Sequence, residues 1–382
     1  MPKTIVFCAD GTWNGPDQDD NNDKQPDPTN VFKIFRSLAC AETADSTPLE
    51  NEQEKRLVQR GVTLQVAKYI HGVGDSHNPI NKMLGGVFGA GTIARIVRGY
   101  TFISREYEPG DRIVVIGFSR GAYTVRALVG MIAGQGLLAK HLTSDKTEAY
   151  RWGARAWYYY RRDSGKGNWW TRLVGGISDL PNFLLSRAID ANDLQPVDQI
   201  KAVAVWDTVG ALGFPRYYKD SRQDVFEFDN TLLSAKVEHG IHAVSLDEQR
   251  VDFTPTLWDR ADNVEQTLFS GAHADVGGGY TEQNHESELS DITLQWMMEK
   301  LEALQVQFGS ADSSTLNPNP AGTAHQPWRH FPFDDGKKAL RQFEGKELLV
   351  HESIRQRMEA GLVIADPGLA AEAYRPANLP SQ

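Results

Sequence analysis

Three short blocks of this chain carry residues whose types could do covalent chemistry on a carbonyl carbon. The first is Gly117-Phe118-Ser119-Arg120-Gly121, a G-x-S-x-G pattern. The second ends in Asp207, within AVAVWDTVGALG, and the third holds His273, within LFSGAHADVGGGY. A serine hydroxyl is a poor nucleophile at neutral pH until a base takes its proton, and that base needs a carboxylate to orient it. Five letters alone also describe a serine that merely caps a helix, so the surrounding elements must decide.

A nucleophile elbow requires a strand directly before the serine, a helix directly after it, and small flanking residues that permit a strained turn. Arg112–Ile116 is a β-branched apolar run ending at Gly117, and Gly121-Ala122 opens a helical pattern with Val125, Leu128, Val129 and Ile132 on one face. Gly117 and Gly121 are the small flanks. Asp207 closes the apolar run Lys201–Trp206, and His273 follows the run Gln266–Phe269. Serine, acid and histidine thus follow one another in the chain order of α/β-hydrolases, each just beyond a strand. Asp252 and Asp262 stay open as alternative acids. His71 and His77 precede Ser119 and break the order, while His239 and His242 lie in or near a strand and read as structural or surface residues. Asp275 reads as a loop-stabilising side chain.

A tetrahedral oxyanion needs two backbone donors. One is expected from Arg120, the residue after the serine, at the positive end of a new helix. The other is expected from Gly11 or Thr12, in the loop DGTWN after the first strand. The carboxylate of Asp10 would repel an oxyanion, so its side chain is expected to turn away and hold the loop through N–H groups. No metal or organic cofactor is required by this chemistry.

The wider pattern suits such a site. Strands are expected at Thr4–Cys8, Thr63–Ile70, Arg112–Ile116, Ala202–Trp206, Ile241–Ser245 and Glu265–Phe269. Helices are expected at Asn30–Leu38 (capped by Thr29), Thr92–Tyr107, Gly121–Ala133 and Ser290–Leu304. That alternation predicts an α/β fold, a mostly parallel sheet with helices on both faces. The 382 residues are read as one domain with an aromatic-rich cap inserted at 140–195, a surface loop at 306–336 and a C-terminal tail at 365–382. A net charge of −10 argues against a broad nucleic-acid surface. Two cysteines, Cys8 and Cys40, cannot form a disulfide framework and suit a reducing compartment. No run has the length of apolar sequence that a membrane span needs, and MPKTIVFCADGT reads as a strand rather than a secretory signal. The expectation is a protein cytoplasmic as synthesised, exported if at all by a dedicated secretion system. Oligomeric state is not legible.

The matching blocks are DGTWN (10–14), TNVFKI (29–34), YIHGVGD (69–75), YEPGDRIVVIGFSRGAYTVRALVGMI (107–132), AVWDTVGALG (204–213), HAVSLDEQR (242–250) and GAHADVGGGY (271–280). Together they resemble the α/β-hydrolase domain long labelled a domain of unknown function and shared with type VI secretion phospholipase effectors. The resemblance covers most of residues 4–305 in order. It implies a lipolytic serine hydrolase with Ser119, Asp207 and His273 as its triad and an acyl ester of phospholipid as its substrate. The sequence ends soon after the matching blocks, and no sizeable further C-terminal domain is expected.

Residues 150–172, YRWGARAWYYYRRDSGKGNWWTR, combine Trp and Tyr with Arg and Lys, as at a membrane interface. Trp157, Trp169 and Trp170 are therefore candidates for lipid or substrate contact. A cap that buries its aromatics over a soluble esterase site is the other reading. GGVFGAGT (85–92) lacks the Lys-Ser/Thr of a phosphate loop and reads as close packing at a helix start. Asp247, Glu248 and Arg250 read as a charge network at the sheet edge, with headgroup binding the alternative.

Overall fold

The structure, a computed structural model, describes residues 2–11, 14–15, 26–43, 52–72, 88–163, 189–210, 231–309, 316–334 and 336–380. Its strands are β1 (Thr4–Ala9), β2 (Ala41–Glu42), β3 (Glu52–Gln59), β4 (Val62–Ile70), β5 (Arg112–Phe118), β6 (Leu137–Leu138) and β7 (Leu194–Gln195). Then come β8 (Ile200–Trp206), β9 (Val237–Ser245), β10 (Val264–Phe269), β11 (Leu349–Val350), β12 (Leu362–Val363) and β13 (Glu372–Ala373). The helices are α1 (Asn30–Ser37), α2 (Phe88–Glu106), α3 (Ser119–Gln135), α4 (Lys146–Asp163), α5 (His273–Gly277), α6 (Glu288–Ala303) and α7 (Glu352–Glu359).

Nine strands form one sheet in the order β11-β10-β9-β8-β5-β1-β4-β3-β2. Every pair from β11 to β4 is parallel, and β3 and β2 add an antiparallel edge. From β1 the chain goes to the far edge at β2, comes back inward through β3 to β4 beside β1, and then crosses to β5 on the other side of β1, so the order reverses between β1 and β5. Open α/β sheets bind ligands at such a reversal, outside the carboxyl ends of the strands.

Strand periodicity explains the two-faced core. Ile5, Phe7, Ile113, Val115, Val203 and Val205 point to one face, which α2, α3 and α4 cover. Val6, Cys8, Val114, Ile116, Ala202, Ala204 and Trp206 point to the other, against α1 and α6. Thr29 caps α1, its hydroxyl accepting from the Phe32 N–H.

Strand β3 was not expected from its charged sequence EQEKRLVQ. It pairs because its acids are answered across the sheet: Lys68 on β4 is bridged to Glu52 and Glu54, and Arg105 on α2 reaches Glu54 at 2.7 Å. The expected cap behaves differently from its reading. β6 and β7 pair antiparallel and close the base of the insert. Between them α4 packs on α2, with Gly153 seated against Val97 and Thr101.

Trp157 on this helix is 1% exposed within the core cluster, which removes it from lipid contact. The helix is aromatic on several faces, and the face bearing Trp157 is the one turned to α2 and α3. Trp169 and Trp170 lie outside the described residues.

The segment expected as a loop over the surface at 306–336 is partly internal, with Thr323, Ala324, His325 and Trp328 buried. The expected tail at 365–382 is anchored at points within its described residues, 365–380, though much of it stays exposed. Tyr374 donates to Asp247, and Asn378 donates to the carbonyls of Leu246 and Arg341. A third apolar cluster of Val244, Leu246, Leu268, Phe343 and Ile354 ties this C-terminal part to the sheet.

Candidate active site

Ser119 stands where β5 ends and α3 begins, with a φ of +56°. A non-glycine residue held in the left-handed region costs about 1–3 kcal/mol and persists only where its surroundings enforce it. Both flanking glycines are required by contact. A Cβ on Gly117 would fall 2.6 Å from the Gly121 carbonyl oxygen, and one on Gly121 would fall 2.1 Å from that of Ala9. The turn is therefore folded tightly onto itself and onto the end of β1. Among the described residues no side chain caps the start of α3, whose N-cap position is Phe118, at the end of β5.

The loop after β1 meets Ser119 directly, since a Cβ on Gly11 would lie 3.3 Å from the serine Cβ. Asp10 turns inward, its carboxylate accepting from Thr29 and Tyr69 hydroxyls and from the Gly11 N–H at 2.7 Å. Complete burial pushes its pKa up to about 6 against those three donors. The Gly11 N–H is thus engaged by Asp10, which corrects the expectation that it donates to an oxyanion. Gly11 instead supplies closeness to the serine. Thr12 lies outside the described residues.

Asp207 follows β8 and also has left-handed backbone, with φ +34°. Its carboxylate is fully buried and accepts four hydrogen bonds. Oδ1 takes the Ser245 N–H at 3.0 Å and Arg341 Nη1 at 2.7 Å, while Oδ2 takes His273 Nδ1 at 2.5 Å and Arg341 Nη2 at 2.9 Å. Burial alone would raise its pKa. The Arg341 guanidinium and the His273 bond outweigh that and hold the group well below the usual carboxylate range.

His273 opens α5 after β10, its N–H donating to Glu248 at 3.2 Å. Its ring lies between Phe118, 4.6 Å away, and the edge of Phe253 at 5.0 Å. Phe118 immediately precedes Ser119, so imidazole and serine share one end of the sheet. Gly277 is bare because a Cβ there would meet the Phe118 ring at 2.0 Å. With Nδ1 donating to Asp207, the neutral ring leaves Nε2 as an acceptor. That atom is buried and has no hydrogen-bond partner among the described residues. Burial pulls the His273 pKa down by more than Asp207 raises it, so the imidazole is uncharged at neutral pH. A strained serine, a histidine with an unpartnered nitrogen and a fixed carboxylate are the three groups that proton transfer from a hydroxyl to a leaving group calls for.

The competing residues have other positions. His242 is buried under Asp207, accepting the Thr208 N–H at 3.1 Å, and burial pushes its pKa down to about 3. His239 is half-buried beside Glu238, and Asp262 is exposed. Asp275 holds its loop, accepting the N–H groups of Ala272 and His325 and facing His325 Nδ1 at 2.6 Å. Asp247 and Glu248 form the charge network read from the sequence, with Glu248 paired to Arg250 and Asp247 accepting from Gly271 and Tyr374. Sequence reasoning missed Arg341 and Phe253. Nothing in their local pattern marks them, because Arg341 reaches the site from a segment without helix or strand and Phe253 from a single 3-10 turn. Among the described residues, no cluster of three His, Cys, Asp or Glu side chains is arranged to hold a metal ion, and no helix is long and apolar enough to cross a membrane.

This geometry on this sheet is α/β-hydrolase-like. The sequence profile described as "T6SS, Phospholipase effector Tle1-like, catalytic domain" matches residues 3–300, and the chain belongs to that family. An uncharacterized protein of Saccharomyces cerevisiae is 28% identical over 266 residues, which span 66% of this chain and 32% of that protein. Two solved structures are similar at lower identity. An uncharacterized protein from Pseudomonas aeruginosa aligns at 16% identity and a TM-score of 0.46, over 83% of this chain and 49% of the other. The Tle1 effector bound to the VgrG spike of the type 6 secretion system aligns at 15% and 0.35, over 74% and 52%. At those scores neither alignment adds to the fold assignment. The chain spans about a third of the yeast relative's length and about half of each structure.

Proposed function

We propose that this chain is a serine hydrolase that cleaves acyl esters of phospholipid through Ser119, His273 and Asp207. The observation that carries the reading is the His273 imidazole: fixed by Asp207 at Nδ1, with Nε2 unpartnered among the described residues, its ring packed on Phe118, the residue that precedes the left-handed Ser119. Family membership supports the lipid substrate. Ser119 Oγ attacks the ester carbonyl carbon while His273 Nε2 takes its proton. The N–H of Arg120 and that of Thr12 hold the resulting oxyanion. The imidazolium, stabilised by ionised Asp207, returns the proton to the departing alcohol, leaving an acyl-serine. Water activated by the same nitrogen then releases the fatty acid. Export by a type VI secretion system, with peripheral contact at the target membrane, completes the proposal. It draws on the same family match.

Hydrolysis of phospholipid vesicles and of soluble p-nitrophenyl esters by wild type and Ser119→Ala tests this. The expected result is release of fatty acid by the wild type and loss of turnover by at least about 10⁴-fold in the variant. Soluble-ester hydrolysis indifferent to vesicles would favour an esterase of small substrates, a reading that the burial of Trp157 supports.

A further inference from the structure

We propose that Arg341 is a positioning residue of this site, locking the Asp207 carboxylate toward His273 and offsetting its charge so that the histidine stays an uncharged base. The proposal rests on the serine-hydrolase reading above.

Arg341 is buried and grips both carboxylate oxygens of Asp207, with two further bonds to the carbonyls of Ser245 and Phe253. A two-pronged guanidinium fixes the plane of a carboxylate as well as its place. Here that plane decides which oxygen meets Nδ1. The segment bearing Arg341 is itself fastened. Val251 N–H donates to the Lys337 carbonyl, Ala339 N–H to that of Gln249, and Phe343 is buried in the third apolar cluster. Arg341 thus reaches the triad from beyond residues 3–300, the range of the family match.

Satisfying the Asp207 oxygens does not by itself call for an arginine, because Ser245 N–H and His273 already donate to them. The balance of charge does. Around His273 stand Asp207 with Arg341, and Glu248 with Arg250. Beneath Asp207 lies His242, which its own burial and, after it, the Arg126 charge keep neutral. Each carboxylate near the imidazole is therefore matched by a guanidinium. Removing the Arg341 charge leaves one negative charge uncompensated in a buried site, which favours the imidazolium and removes the free base.

The pH dependence of kcat/KM on a soluble p-nitrophenyl ester, measured for wild type, Arg341→Gln and Arg341→Lys, tests this. The acid limb for Arg341→Gln is expected to move up by about one pH unit. Turnover at pH 7 should fall roughly 10- to 100-fold and recover in part as the pH rises. Arg341→Lys keeps the charge but not the two-pronged grip, so kcat should fall with the limb near its wild-type place. A folded Arg341→Gln whose loss is uniform across pH 5–9, with the limb unmoved, overturns the proposal. If that variant does not fold, Arg341→Lys decides alone, and unchanged kcat with an unmoved limb overturns it. Failure of the underlying reading looks different, since Ser119→Ala would then hydrolyse the ester as well as wild type.

Discussion

Two buried histidines in this molecule each face an aspartate at Nδ1, yet one is neutral and the other charged. His273 meets Asp207 at 2.5 Å and is held neutral; His325 meets Asp275 at 2.6 Å, and its pKa is pushed up to about 9. Burial works against the charged form in both. For His325 a second acid, Glu286, lies at Nε2 at 3.2 Å, and Tyr280 stacks on the ring. At His273 the Nε2 edge has no partner among the described residues, and the facing aspartate is matched by Arg341. An Asp–His pair is therefore not in itself a base. What stands at the far nitrogen, and whether the acid is already neutralised, decides between a proton acceptor and a trapped cation. The two pairs are joined by one short helix, α5, which holds both His273 and Asp275, so the second pair braces the first.

The largest break in the comparison comes from Asp207→Asn. In the proposed mechanism it removes the charge that stabilises the imidazolium during turnover, and kcat should fall on the order of 10⁴-fold in a steady-state assay. The corresponding change at the other pair acts on stability. His325 has a folded pKa raised above its unfolded value, so its contribution is fully present below about pH 6.5 and is lost as pH rises through about 9. The wild type should lose up to roughly 3 kcal/mol of unfolding free energy across that window, and His325→Gln should flatten the dependence in denaturant titrations. Gly121→Ala comes next. Its Cβ would press on the Ala9 carbonyl, and a cost of about 1–3 kcal/mol with displaced Ser119 is expected from thermal melts and turnover together. Glu286→Gln is the smallest and sharpest change. Losing one acid should move the His325 transition to lower pH, read by NMR titration of its imidazole, while leaving the acid limb of ester hydrolysis in place.

Much of this site is legible in sequence because local rules act there. The β-branched run, the glycine flanks and the helical stripe around Ser119 all obey short-range sterics, and β8 and β10 announce the strand ends that carry Asp207 and His273. The donor geometry at Gly11 is not legible, because the buried Asp10 carboxylate decides it after folding. Trp157 misleads for a related reason, since a helix aromatic on several faces gives no stripe to say which face is inward. Strand β3 hides behind charges that are answered by Lys68 and Arg105 on other elements. Arg341 is the extreme case: it sits in a segment without periodicity, 134 residues along the chain from the carboxylate it clamps.

Fluorophosphonate labelling of the folded protein, read by intact mass and peptide mapping, tests most directly that Ser119 is a nucleophile activated by His273. One adduct on Ser119 is predicted, forming fast in the wild type and slowed by orders of magnitude in His273→Ala. No adduct on folded wild type, or an equally fast one in His273→Ala, would contradict it.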